Sequence, residues 1–247
     1  MNRFWAALRF LTVLPAPAGR GLDLGDLGRS LPFFPVVGLV LGGLTAAAVE
    51  AGGRVLPRPL LICLAVALPV LLSGGLHADG LADTADGFCS ARPRERILEI
   101  MRDSRIGAMG VLALIFCLGV KASALASAPV GSLWRMALCM PVAGRAALVF
   151  LLAFMPYVRP AGGLGTPFTQ GRHVAAAGWA MAALIAVAAW SASLGGLVTV
   201  FAVVLFLLGF AGWCRRKIGG MTGDTLGAAC ELTEAVAACG LAVHFSP

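Results

Sequence analysis

Between His77 and Gly87 the chain reads His-Ala-Asp-Gly-Leu-Ala-Asp-Thr-Ala-Asp-Gly. Three of its twelve acidic residues, Asp79, Asp83 and Asp86, fall in this run. Spacings of four and three place them on one face of a helix. Carboxylates held so close repel one another, raise each other's pKa and cost stability. A divalent cation removes the conflict, and hard oxygen donors suit Mg²⁺. The run therefore reads as a metal and diphosphate site at a membrane surface. A solvated, acid-rich helix end is the plainer alternative, but such ends seldom gather three Asp without a Lys or Arg. Asp83 and Asp86 are the candidate catalytic acids. His77 is a third candidate, as ligand, base or packed interface residue. Gly80 and Gly87 remove bulk where a ligand or a helix could approach.

Two further polar clusters carry candidate chemistry. Arg102-Asp103-Ser104-Arg105-Ile106-Gly107-Ala108-Met109-Gly110 puts two arginines and a glycine-rich turn before a helix. Backbone N–H groups and the helix dipole attract phosphate there, and Arg105 can fork onto phosphate oxygens. Arg102, Ser104, Arg105 and Gly107 are thus expected to bind substrate, with Asp103 as a further metal ligand or an arginine partner. A basic helix entrance that merely sets topology is the alternative. Thr222-Gly223-Asp224 opens the last apolar segment, with Glu231 seven residues beyond Asp224 on the same face. Asp224 joins the expected metal set, and Thr222 and Gly223 the substrate set, although Thr222 also suits a plain N-cap. Acids inside a membrane segment are costly and default to functional roles. Glu231 and Arg145 are read either as substrate-binding groups or as partners in ion pairs that include Lys121.

The elements that must position these groups are hydrophobic. The chain has 247 residues, of which 59% are hydrophobic and 13% charged, and its mean hydropathy is +0.90. A soluble domain carries about 25% charge. The expected fold is therefore all-α, a polytopic membrane bundle forming one integral-membrane catalytic domain over 1–247. Seven apolar segments reach the roughly 20 residues needed to span a bilayer, near 33–51, 59–77, 107–128, 133–155, 174–193, 195–213 and 224–243. Ser193 to Gly196 join the fifth and sixth as a tight hairpin. Met1 to Pro17, with Arg3 and Arg9 among Phe4, Trp5, Leu8, Phe10 and Leu11, suits an interfacial helix better than a signal peptide. Residues 93–102 suit a short surface helix.

The net charge of +7 is spread between apolar runs, without the clustered patch of a nucleic-acid binder. Seven cysteines without a CxxC pair, and three scattered histidines, argue against zinc or a disulfide framework. With seven spans, Arg3, Arg9, Arg20, Arg29, Arg92, Arg94, Arg96, Arg102, Arg105, Arg159, Arg172, Arg215, Arg216 and Lys217 fall on one side. The positive-inside rule then makes the N-terminus cytoplasmic. All three polar clusters share that side.

Asp83-Thr84-Ala85-Asp86-Gly87 resembles the opening of the signature of the CDP-alcohol phosphotransferases. The match is partial, since Ala91-Arg92 comes one residue late and the downstream Asp-x-x-x-Asp is missing. A wider resemblance, to the cobalamin synthase family (adenosylcobinamide-GDP ribazoletransferases), runs through most of the chain. It rests on Phe10-Leu11-Thr12-x-Leu14-Pro15 and Phe34-Pro35-x-x-Gly38. It continues through the His77–Gly87 run, Asp103-Ser104-Arg105-x-Gly107-x-x-Gly110, Lys121 and Gly144-Arg145. Arg159-Pro160 with Gly163-Leu164-Gly165, and Gly223-Asp224-x-x-Gly227-Ala228, complete it. The resemblance implies a Mg²⁺-dependent, multi-pass enzyme of the bacterial inner membrane with its active site in the cytoplasm. It implies adenosylcobinamide-GDP and α-ribazole, or α-ribazole 5′-phosphate, as substrates, and GMP as a product. It admits a homo-oligomer and association with other cobalamin-assembly enzymes. The competing readings are a cation- or proton-coupled transporter using the intramembrane acids, and a non-catalytic membrane scaffold.

Overall fold

The computed structural model describes residues 2–17, 24–159, 166–168 and 173–245. Arg20, Pro160, Arg172 and the Gly163-Leu164-Gly165 motif lie outside the described residues. Among the described residues there is no β-strand, only an isolated bridge between Tyr157 and Met221. Ten α-helices follow one another in the described residues: α1 (Asn2–Leu11), α2 (Leu24–Gly28), α3 (Phe34–Gly52), α4 (Arg58–Leu72), α5 (Leu76–Phe88), α6 (Arg94–Ile100), α7 (Ala108–Ser127), α8 (Leu133–Phe154), α9 (Val174–Ile218) and α10 (Gly223–Phe245).

Helix α8 is the axis, buried along most of its length and packed against α3, α9 and α10. Helix α10 buries many small residues among its neighbours, including Ala228, Ala229, Ala237 and Ala238. Small side chains let backbones approach closely, which drives association where water provides no hydrophobic force between helices. The outer faces are apolar: Ile115 and Phe116 on α7, and Leu197, Phe201 and Leu205 on α9, are exposed. A belt of large apolar side chains around a helical bundle suits a lipid environment.

Among the described residues, five helices are long and apolar enough to cross a membrane, or six if α4 and α5 form one broken span. The sequence-based count of seven differs at two places. The expected span 59–77 becomes the 15-residue α4, followed by a 90° bend into α5. The expected spans 174–193 and 195–213 are joined in one element of 45 residues. That element is nevertheless broken at the expected hairpin, where Ala192 and Ser193 leave helical geometry. A Cβ on Gly196 would lie 1.9 Å from the Ala188 carbonyl oxygen. Residues eight apart are about 12 Å apart along a straight helix, so the chain doubles back.

The N-terminal and surface helices form as expected. Helix α1 buries Ala7, Leu8 and Leu11 against the bundle, and α6 buries Ile97 while its Arg94 donates through Nε to the Ile218 carbonyl at 2.7 Å.

Candidate functional site at the first turns of α7 and α10

Helix α5 is placed by two glycines. Gly74 and Gly75 have φ of 63° and 74°, a left-handed conformation that glycine adopts without steric cost. They turn the chain so that α5 lies across the first turns of α7 and α10 rather than extending α4. Contact with α10 is intimate: a Cβ on Gly80 would lie 2.7 Å from the Asp224 carbonyl oxygen. The crossing brings Asp79 and Asp83 of α5 towards Asp224 of α10. Burial first, and then the charges of Asp79 and Asp224, push the Asp83 carboxyl up to about 7, while Arg159 pulls the other way. An open groove of about 500 Å³ runs beside the helix, with Asp79, Gly75, Ile106 and Leu114 in its walls.

Asp86 does something different from its neighbours. Its Oδ2 accepts from the Gly107 amide at 2.7 Å and its Oδ1 from the Gly110 amide at 2.8 Å. These are two of the amides that an α-helix leaves unpaired at its N-terminus. The phosphate-attracting end of α7 thus already holds an anion of the chain itself. Cβ atoms on Gly107 and Gly110 would lie 2.4 and 2.5 Å from the Asp86 carboxylate oxygens. Both glycines therefore make room for Asp86, and Gly107 is a backbone donor to it rather than to a substrate.

The loop before α7 is solvent-facing. Arg102, Ser104 and Arg105 are exposed. Arg105 grips Asp103 with Nε at 3.0 Å and Nη2 at 2.7 Å, which holds the Asp103 carboxyl down to about 2. Asp103 thus takes the second of its two expected roles, the arginine partner, instead of joining Asp79, Asp83 and Asp224.

Thr222 and Thr225 cap α10 reciprocally, with the Thr222 amide donating to Thr225 Oγ1 at 2.8 Å and the Thr225 amide to Thr222 Oγ1 at 3.3 Å. Thr222 is fully buried, so the plain N-cap reading describes it. Gly223 lines a small void of about 40 Å³ together with His77, Phe10, Phe34 and Phe168. His77 is buried, and its Nε2 has no hydrogen-bond partner among the described residues. The packed-residue reading of His77 fits this apolar setting better than that of a general base.

Arg145 and Glu231 also take the structural member of their pair of readings. Lys121 of α7 meets Glu231 at 2.6 Å and Glu234 at 2.8 Å, and Arg145 of α8 meets Glu234 at 2.5 Å. All four side chains are buried. Two cations and two anions cancel inside the bundle, about 10 Å along α10 from Asp224.

Sequence reasoning singled out neither Glu234 nor Arg159 as a site residue. Arg159 Nη2 meets Asp224 Oδ2 at 2.5 Å. A lone arginine after α8 gives no local signal that it will face a carboxylate 65 positions on.

Among the described residues, no group of three His, Cys, Asp or Glu converges tightly enough to cage a metal. Mg²⁺ seldom uses such a cage; it takes one or two carboxylates and fills its other positions with water and phosphate oxygens. Asp79 in the groove wall, with Asp83 and Asp224 near enough to interact electrostatically, offers hard oxygens of that kind, so the donor chemistry fits.

Fold and site together define a helical, multi-pass membrane protein with a carboxylate cluster at one end of the bundle. The family model for cobalamin-5-phosphate synthase matches residues 3–242, and the chain belongs to that family. Similar proteins are named adenosylcobinamide-GDP ribazoletransferase. The one from Roseiflexus sp. (strain RS-1) is 43% identical, over 94% of this chain and 85% of its own length. That of Chlorobaculum tepidum is 41% identical over 93% and 90%. That of Pseudomonas putida is 40% identical over 98% and 99%. No solved structure matches the chain.

Proposed function

We propose that this protein is an adenosylcobinamide-GDP ribazoletransferase. It transfers the phospho-cobinamide unit of adenosylcobinamide-GDP to the 5′-hydroxyl of α-ribazole or α-ribazole 5′-phosphate. The products are adenosylcobalamin or its 5′-phosphate, and GMP. The approach of Asp79, Asp83 and Asp224, near enough for the charges of Asp79 and Asp224 to act on Asp83, in a chain of this family, is the observation that carries the reading. The transporter reading loses its motive, because the intramembrane acids Glu231 and Glu234 are consumed by Lys121 and Arg145.

Asp79, Asp83 and Asp224 would hold Mg²⁺. When bound, the ion neutralises charge on the diphosphate and on departing GMP. The chain's own residues orient the partners. Asp86 fixes α5 on α7, and the Gly80 crossing fixes α5 on α10, so the carboxylates keep their spacing. The acceptor oxygen forms a bond to the cobinamide-linked phosphorus as the bond from that phosphorus to the GMP oxygen breaks. A loose phosphoryl-transfer transition state depends on positioning more than on a strong base, and the open groove lets the hydroxyl proton pass to water.

The basic residues around the site end support, by the positive-inside rule, a cytoplasmic side for the site and the N-terminus, in the bacterial inner membrane. Association with other cobalamin-assembly enzymes or with a second copy is compatible with this placement. Asp83→Asn tests the proposal: GMP release should stop while the protein remains folded in detergent. Near-normal turnover in that variant would remove the carboxylate cluster from the reaction.

A further inference from the structure

The segment after α8 is held in place by main-chain bonds. The Val158 amide donates to the Met221 carbonyl at 2.9 Å, and the Met221 amide to the Pro156 carbonyl at 2.9 Å. This clamp fixes the position from which Arg159 reaches the carboxylates. Its Nη2 donates to Asp224 Oδ2 at 2.5 Å and to the Met101 carbonyl at 3.2 Å. Both acceptors lie on that one nitrogen, and Nε, which is buried, has no partner among the described residues. A guanidinium carries five N–H donors, so much of this one is unspent. Its charge is also felt by Asp83, alongside those of Asp79, Asp86 and Asp224, and Arg102 acts on Asp224 from the loop before α7.

The charges argue for a further anionic partner. Deprotonated, as a bound cation requires, Asp79, Asp83 and Asp224 carry three negative charges; Arg159 supplies one positive charge and a divalent cation would cancel the other two, with Arg102 adding further positive charge from the loop. Asp86 is already matched by the α7 amides. With a cation on the carboxylates, Arg159 would stand beside a neutralised cluster with donors still unspent, and their complement is an oxyanion. Guanidinium is well suited to phosphate oxygens.

We propose that Arg159 contacts the substrate, holding Asp224 with Nη2 while the rest of its guanidinium binds the diphosphate of the GDP-linked substrate. The inference rests on the function proposed above. It assigns to Arg159 the phosphate-binding task that the sequence suggested for Arg105, whose fork is closed on Asp103.

The test is GDP binding at saturating Mg²⁺, with the KM for GMP release, on the full chain in detergent. The variants are Arg159→Gln, Arg159→Lys, Asp224→Asn and the double variant Arg159→Gln/Asp224→Asn. A charge-assisted hydrogen bond to phosphate is worth about tenfold to a hundredfold in affinity. Arg159→Gln should lose that much GDP affinity, and Arg159→Lys should recover part of it. The double variant should bind GDP more weakly than Asp224→Asn by a similar factor. This comparison isolates the phosphate contact, because in both proteins Asp224 no longer needs a counter-charge. Wild-type GDP affinity in Arg159→Gln, or equal and measurable GDP affinity in Asp224→Asn and the double variant, would overturn the assignment and leave the proposed function standing. A wild-type protein that neither binds GDP nor releases GMP would overturn both.

Discussion

Asp86 Oδ2 sits 2.7 Å from the Gly107 amide, so a carboxylate of α5 closes the N-terminus of α7. An acid of the Asp-rich run, read from its spacing as a metal ligand, is committed to backbone donors. Removing a side-chain acceptor from a helix N-terminus costs about 1 kcal/mol. Asp86→Ala should therefore lower thermal stability by about 1–2 kcal/mol and loosen α5. Asp86→Asn keeps one acceptor oxygen, so it should retain turnover with an unchanged Mg²⁺ requirement. A tenfold rise in the Mg²⁺ concentration for half-maximal rate would return Asp86 to the metal set.

Gly110 is the other side of this contact. Its added Cβ would meet Asp86 Oδ2 at 2.5 Å, and forced overpacking costs about 1–3 kcal/mol. Gly110→Ala should destabilise the protein by that amount. Gly119, on the same helix with nothing within 4 Å of such a Cβ, is the control: Gly119→Ala should not destabilise it. Thermal unfolding of the two variants in one detergent gives the comparison.

The Asp83 carboxyl, raised from 3.8 to about 7, makes cation binding depend on pH. Below about 7 a cation must displace a proton, so the Mg²⁺ half-saturation should climb towards tenfold per pH unit. It should be flat at higher pH, and the dependence should vanish in Asp83→Asn. Stability without metal follows the raised pKa. Asp83's contribution is fully present below its unfolded value, and is lost as pH rises through about 7. Added Mg²⁺ should offset that loss, visible as a larger Mg²⁺-induced rise in Tm at pH 8 than at pH 5.

The buried quartet of Lys121, Arg145, Glu231 and Glu234 predicts an asymmetry. Removing one member of a buried ion pair costs about 3–5 kcal/mol, because its partner stays buried and uncompensated. Glu234→Gln takes from Arg145 its carboxylate partner and from Lys121 one of two, so it should destabilise more than Glu231→Gln, which leaves both cations paired with Glu234. The paired replacement Lys121→Met/Glu231→Leu leaves the Arg145–Glu234 contact intact, and should cost less than Glu234→Gln in a thermal melt.

Hydropathy located most of the helices, and the spacing of Asp79 and Asp83 pointed to the helix on which the candidate site is built. The hairpin at Ala192–Ser193 was legible because Ser193 to Gly196 interrupt two apolar runs. The 90° bend at Gly74–Gly75 was not, because an apolar window continues through Leu76 and hydropathy carries no direction. Asp86's use by Gly107 and Gly110, and Arg159's by Asp224, depend on which helix ends meet. That is settled by packing among α5, α7, α8 and α10, and no local pattern around 86 or 159 encodes it. The alternatives for Glu231 could not be separated from sequence for the same reason: a buried acid looks alike with or without a counter-ion in reach.

The bend at Gly74–Gly75 also bears on bilayer thickness. Fifteen residues of α4 rise about 22 Å, against a hydrocarbon core of about 30 Å. Lipid beside this helix has to thin, or the helix ends have to sit below the headgroups. If the helix ends sit below the headgroups, α5, which turns away at that depth, would carry its carboxylates in a recess below the general membrane surface. Thicker bilayers would deepen the recess and burden any substrate arriving from water, so acyl-chain length becomes a control on this site that acts without touching a single one of its residues.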